Sequence, residues 1–138
     1  MIIHKYDPEH LVKVYPGMFQ SVFGFYQAHR RSDFVLVITD DDNREVFGFV
    51  SCLEHTPKEI HIQFGGLERK HRGMKSLAIL RRILSRLHST GYKWITMIVE
   101  NTNAAMIRLA LKEGFIIHGV RVATDHTTYV EMIKGDEQ

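Results

Sequence analysis

The spacing of apolar and polar residues changes several times along the chain, and each change marks an element. Met1–Tyr6 reads as a short strand. Asp7-Pro8-Glu9 reads as a helix start, with Asp7 as N-cap and Pro8 in the first turn, where a missing N–H is tolerated. The helical stretch that follows, to about His29, is interrupted near Pro16-Gly17. Phe34–Thr39 (FVLVIT) is a β-rich run, and Asp40-Asp41-Asp42-Asn43 supplies turn chemistry before a second strand over Glu45–Glu54, so the two form a hairpin. Glu59–Phe64 (EIHIQF) alternates polar and apolar residues as a half-buried strand does, and Gly65-Gly66 predicts its end, a bulge or splay point. From Met74 to His88 the period lengthens to that of a helix: Leu77, Leu80, Leu84 and Leu87 share one face, while Arg81, Arg82 and Arg86 fall elsewhere. Gly91 ends that helix. Lys93–Glu100 (KWITMIVE) is apolar enough to be a central strand covered on both faces. Asn103 caps a short helix over Ala104–Glu113, closed by Gly114. Phe115–Ala123 and Thr127–Lys134 make a final hairpin around Thr124-Asp125-His126. Strands, then βαβ alternation, then a hairpin define an α/β (α+β) layer with a mixed sheet.

Composition narrows this to one ordinary globular domain over residues 1–138. The chain is 44% hydrophobic and 25% charged, and at its length about 70% of the unfolded surface is buried, enough for one core. The single cysteine, Cys52, excludes an intrachain disulfide and gives no zinc framework. The longest stretch without a charged residue, Val14–His29, holds 16 residues and falls short of the roughly 20 that a membrane span needs. No basic segment precedes an apolar block at the start, so the expected location is the cytoplasm.

A net charge of +2 describes neither a nucleic-acid-binding surface nor an acidic tail. It conceals an asymmetry, however. Residues 69–86 hold seven of the 18 Lys and Arg and no Asp or Glu. Most of that charge lies in Leu67–Ser76, between a strand and a helix. Such a loop combines unpaired backbone N–H groups with the positive end of the helix dipole, and so favours an anion. The anion is not held by a Walker loop, because Arg69 and Met74 stand where G-x-x-x-x-G-K-[ST] needs glycine, although Lys75-Ser76 imitates its end. Nor do Gly65-Gly66 and Gly73 make a dinucleotide fingerprint. Despite nine histidines, no metal-binding spacing appears.

Two segments resemble the GCN5-related N-acetyltransferases (GNAT superfamily). Leu67–Gly73 (LERKHRG) is similar to that superfamily's V-x-P-x-x-R-G entry to the pyrophosphate loop. Asn103–Phe115 (NAAMIRLALKEGF) follows its N-x-x-A/x-x-x-L-Y-x-K-x-G-F spacing, after a strand and before a hairpin, and Gly91-Tyr92 fits as well. The resemblance implies a GNAT fold: a mixed sheet of about seven strands flanked by helices, its two central parallel strands, near Glu59–Phe64 and Trp94–Glu100, splayed apart. It implies acetyl-CoA as acyl donor and an amine acceptor, small molecule or protein, in a monomer or homodimer. It places Leu67, Lys70, Arg72, Gly73, Met74, Lys75, Ser76 and Leu77 around the pyrophosphate and Asn103 near the pantetheine arm, although Asn103 already has a role as helix N-cap. A backbone N–H around Gly66-Leu67 would stabilise the oxyanion of acyl transfer.

The sequence departs from the superfamily at two places. No register satisfies Q/R-x-x-G-x-G/A: starting at Arg72 puts Lys75 and Leu77 at the small positions, and starting at Lys70 places Gly73 correctly but leaves Lys75 at the last one. The Tyr of L-Y-x-K, a thiolate protonator in many members, is Ala110 here, and a methyl group donates no proton. The catalytic residues are therefore open among Glu54, His55, His61, Gln63 and Glu100 as candidate bases, direct or through water. Cys52 reads as a buried, inert thiol, Tyr129 as a sheet packer, and Phe19, Phe23, Phe25 and Tyr26 as core. Two other readings stand beside the transferase. One is a weak or inactive GNAT-fold module that binds CoA or a protein partner. The other is a nucleic-acid binder using the basic loop and the Arg81/Arg82/Arg86 stripe, which ranks last for want of a recognisable module.

Overall fold

The computed structural model describes residues 1–14, 32–42, 44–67, 73 and 75–135. In chain order the elements are β1 (Ile2–Tyr6), α1 (Pro8–Val14), β2 (Phe34–Thr39), β3 (Val46–Thr56), β4 (Glu59–Leu67), α2 (Ser76–Ser89), β5 (Trp94–Glu100), α3 (Ala104–Lys112), β6 (Ile116–Val122) and β7 (Thr128–Gly135). Among the described residues the strands form one sheet of 7 in the order β1-β2-β3-β4-β5-β7-β6: β1 with β2, β2 with β3, β5 with β7 and β6 with β7 pair antiparallel, and β4 with β5 pairs parallel. Expected and observed elements coincide to within one residue apart from two strand ends and the start of α2, which is Ser76 and not Met74. β3 runs on to Thr56, and β4 continues through Gly65-Gly66 to Leu67 instead of stopping at Phe64. The helical stretch expected after Val14 lies outside the described residues.

The chain packs as two compact units, Met1–Leu53 with Gln63–Ile83 and Glu54–Ile62 with Leu84–Gln138. In the first, β2 is buried along its whole length. Val35 and Val37 pack with Leu11 of α1 and Phe49 of β3, while Leu36 and Ile38 point to the other face and are equally buried. Asp7 caps α1 as expected: its carboxylate accepts from the Glu9 N–H at 3.0 Å and its carbonyl from the Leu11 N–H at 3.0 Å. At the β2–β3 turn, Asp40 Oδ1 accepts from the N–H groups of Arg44 and Glu45 at 2.8 and 3.1 Å, and the Glu45 bond above all holds the Asp40 carboxyl below its ordinary value.

A bulge follows. Ile38 pairs with Gly48 but Thr39 pairs with Val46, so Phe47 is the extra residue on β3. Its neighbour Gly48 lies under β4: a β-carbon there would meet the Gly66 carbonyl oxygen, and Leu67 Cδ2 at 2.8 Å. Only a residue without a side chain lets the two strands approach here.

In the second unit β4 and β5 run parallel from Glu59↔Trp94 to Ile62↔Met97, and β7 pairs antiparallel with β5 and β6. One face carries Ile60, Ile62, Ile95, Met97, Val99 and Met132, all buried. The alternate positions of β5, from Trp94 to Glu100, are half-buried or exposed, so β5 is covered on one face and not on both. On the less covered side Trp94 and Ile98 alternate with the polar Thr96 and Glu100, a mixture that an averaged hydropathy does not reveal.

Both helix ends of this unit are Schellman motifs. At α2 the Gly91 N–H donates to His88 O at 3.0 Å and Tyr92 N–H to Leu87 O at 3.3 Å; at α3 Gly114 N–H donates to Leu111 O at 3.1 Å and Phe115 N–H to Ala110 O at 3.0 Å. The geometry needs φ of +109° at Gly91 and +91° at Gly114. Gly91→Ala is expected to cost about 1 kcal/mol, because its β-carbon would meet no atom within 4 Å and only the backbone preference is lost. Urea denaturation measures it.

Candidate functional site

The strand–loop–helix segment belongs to the first unit. Leu67 ends β4 and is half-buried. Gly73, exposed with φ of +99°, opens a turn closed from both sides: its N–H donates to Ser76 Oγ at 3.1 Å, and its carbonyl accepts from the Ser76 N–H at 3.0 Å. Lys75 sits at the cap of α2, its carbonyl accepting from the Ile79 N–H at 3.0 Å. Ser76 is the first helical residue, and Leu77 behind it is half-buried. Lys70, Arg72 and Met74 lie outside the described residues.

The Lys75 ammonium rests over the Phe47 ring, 4.9 Å from its centroid, and no described carboxylate pairs with it. The cation therefore stands at the helix start on an aromatic support, with its charge uncompensated by any described neighbour. Phe47 could not have been assigned this part from the sequence, because the bulge that places it depends on strand register.

Asn103 belongs to the second unit. Its side chain accepts from the Met106 N–H at 3.2 Å, so it performs the capping role expected of it. Ala110 is the buried residue of α3, with no exposed area.

The candidate bases are spread over distinct environments. Gln63 in the first unit accepts from Ser51 Oγ at 3.3 Å. In the second unit Glu54 is exposed and accepts from the Tyr92 hydroxyl at 2.5 Å, and Glu100 is exposed at the end of β5 beside Tyr129 of β7. His55 and His61 come together: their rings stack with centroids 5.3 Å apart and planes 10° from parallel. His61 Nδ1 lies 2.9 Å from Thr96 Oγ1. Thr96 was not singled out in the sequence, since only the parallel register brings it opposite His61. Cys52 is inert, its thiol pushed up to about 12 by burial. Among the described residues no His, Cys, Asp and Glu cluster could hold a metal, and no helix is long and apolar enough to cross a membrane.

Many solved structures share this architecture, which is the fold of the GNAT N-acetyltransferases. The ribosomal-protein-S18-alanine N-acetyltransferase from Escherichia coli superposes with a TM-score of 0.76 at 16% identity, over 97% of this chain and 92% of that one. A GNAT family acetyltransferase from Elizabethkingia anophelis, solved with acetyl-CoA bound, gives 0.69 at 12% identity over 97% of each chain. Nourseothricin acetyltransferase gives 0.61 at 20% identity over 74% of this chain, which spans 64% of that protein's length. No family model matches the sequence, and no curated protein matches it.

Proposed function

We propose that the chain is an N-acetyltransferase that takes its acyl group from acetyl-CoA and delivers it to an amine of a small molecule or protein. The observation that carries this reading is the turn at the start of α2, set within a GNAT fold. Gly73 in its left-handed conformation is exposed and meets nothing within 4 Å where a β-carbon would stand, and Lys75 adds a cation at the helix start. The positive end of the helix dipole and the ammonium together suit a pyrophosphate. In this reading residues 67–77 hold the CoA diphosphate, with Lys70, Arg72 and Lys75 supplying charge, and Asn103 stands beside the pantetheine arm. Bound acetyl-CoA supplies an activated thioester. The chain supplies orientation, charge and backbone donors near Gly66-Leu67.

Calorimetric titration with acetyl-CoA and CoA tests the reading, followed by thiol release with butylamine, Nα-acetyl-lysine and a peptide bearing a free N-terminal alanine. Binding of neither nucleotide would overturn it, and binding without transfer would favour the non-catalytic CoA-binding module that Ala110 brings into view. Lys75→Glu is expected to weaken CoA binding about tenfold or more, since it reverses a charge facing phosphate. Unchanged affinity would place the diphosphate elsewhere.

A further inference from the structure

The face of the second unit's sheet opposite Ile60, Ile95 and Met132 is mixed: Trp94, Ile98 and Ile133 lie on it beside the polar groups of Glu59, His61, Thr96 and Glu131. His61 of β4 is half-buried there and is the register partner of Thr96 on β5. His55, from the end of β3, stacks on its ring, and His55 Nδ1 stands 3.7 Å from Glu59 on β4. Arg121 of β6 and Glu131 of β7 complete the charges that act on it. The His61 ring is thus fixed in plane by a stack and in rotation by the 2.9 Å contact of Nδ1 with Thr96 Oγ1. When Nδ1–H donates to that hydroxyl, the lone pair is left on Nε2, which no hydrogen bond engages among the described residues.

We infer that this face receives the acceptor amine and that His61 Nε2 takes the proton the amine must lose, with Thr96 as the positioning residue that fixes the rotation of the ring. The inference rests on the acetyltransferase reading and adds to it the group that makes the acceptor nucleophilic. A bound ammonium gives one proton to Nε2. The resulting amine forms a C–N bond to the acetyl carbonyl carbon as the C–S bond breaks. The second N–H proton leaves with the sulfur as thiol, and the imidazolium returns its proton to water. Burial is the largest influence on His61 and lowers its pKa; His55 and Arg121 lower it further, while Glu59 and Glu131 oppose them with smaller effects. The ring is therefore neutral, and able to accept a proton, at pH 7.

The test joins a spectroscopic and a kinetic measurement. Nitrogen-15 NMR of the intact protein is expected to show His61 protonated at Nδ1 and not at Nε2; the opposite tautomer overturns the inference without touching the acetyltransferase reading. In thiol-release assays with acetyl-CoA and the same amine panel, the wild-type rate is expected to rise through a pKa below 6.5 and then level off. His61→Gln is expected to lower kcat by about 100-fold and to replace the plateau with a climb of about tenfold per pH unit, as free amine becomes the reactant. Thr96→Val is expected to lose part of kcat, and Thr96→Ser to recover it. A His61→Gln protein that melts as wild type does and keeps the wild-type profile overturns the base role alone. No transfer by the wild-type protein to any panel amine overturns the acetyltransferase reading and the base role with it.

Discussion

Gly48→Val is expected to destabilise the first unit by about 3 kcal/mol or more, which lowers the melting temperature by roughly 10 °C. The atom in the way is the Gly66 carbonyl oxygen, with Leu67 Cα at 3.0 Å behind it, and both are backbone. A side chain in that position could rotate aside; a strand cannot move without disturbing its own pairing. Valine adds two methyl groups to an already obstructed β-carbon, so β4 must shift at Gly66-Leu67, the stretch assigned to backbone donation in acyl transfer. Acetyl-CoA affinity should fall with stability. Gly119→Ala is the control: the nearest atoms to its new methyl are those of the Glu131 side chain, at 3.5 Å and beyond, an ordinary contact, and its stability should match wild type. Thermal denaturation of the two variants separates the outcomes, and a Gly48→Val protein that melts with wild type would mean that the β3–β4 approach is not rigid.

What the sequence discloses and what it withholds follow from the range of the interactions. Elements fixed by neighbours along the chain are readable. Asp7 before Pro8, Asn103 before Ala104, and the Gly91-Tyr92 and Gly114-Phe115 pairs all mark helix ends where they were expected, because a cap is completed within a few residues. Part of the similarity to N-x-x-…-K-x-G-F is therefore the signature of a capped helix, and has a folding explanation apart from any cofactor. Contacts that depend on strand register are not readable. The Phe47 bulge that supports Lys75, the approach of Gly48 to Gly66, and the Thr96–His61 pair each join residues whose opposition is decided by pairing and not by spacing. The expectation that β4 would stop at Gly65-Gly66 failed for a related reason. Two glycines weaken a strand, but β4 continues to Leu67, and the glycine opposite Gly66, Gly48, makes room for it.

Ala110→Tyr is expected to lower stability by about 3 kcal/mol without raising the rate of thiol release. The family pattern has tyrosine at this position, so the substitution looks like a restoration. The residue is nevertheless fully buried, and its carbonyl is engaged by the N–H groups of Phe115 and Glu113 at 3.0 and 3.1 Å. Phe115, itself buried, closes the same Schellman motif. A phenol ring grafted here overpacks the interior, at about 1–3 kcal/mol. Its hydroxyl, unless it reaches a partner, adds a desolvation cost of about 1–3 kcal/mol. Urea denaturation measures the first consequence and thiol release the second. A variant as stable as wild type that transfers acetyl groups faster would show that the position opens onto the leaving sulfur and that alanine there is a lost proton donor. A destabilised variant with no gain in rate means that alanine is a core residue of this chain and not a lost proton donor.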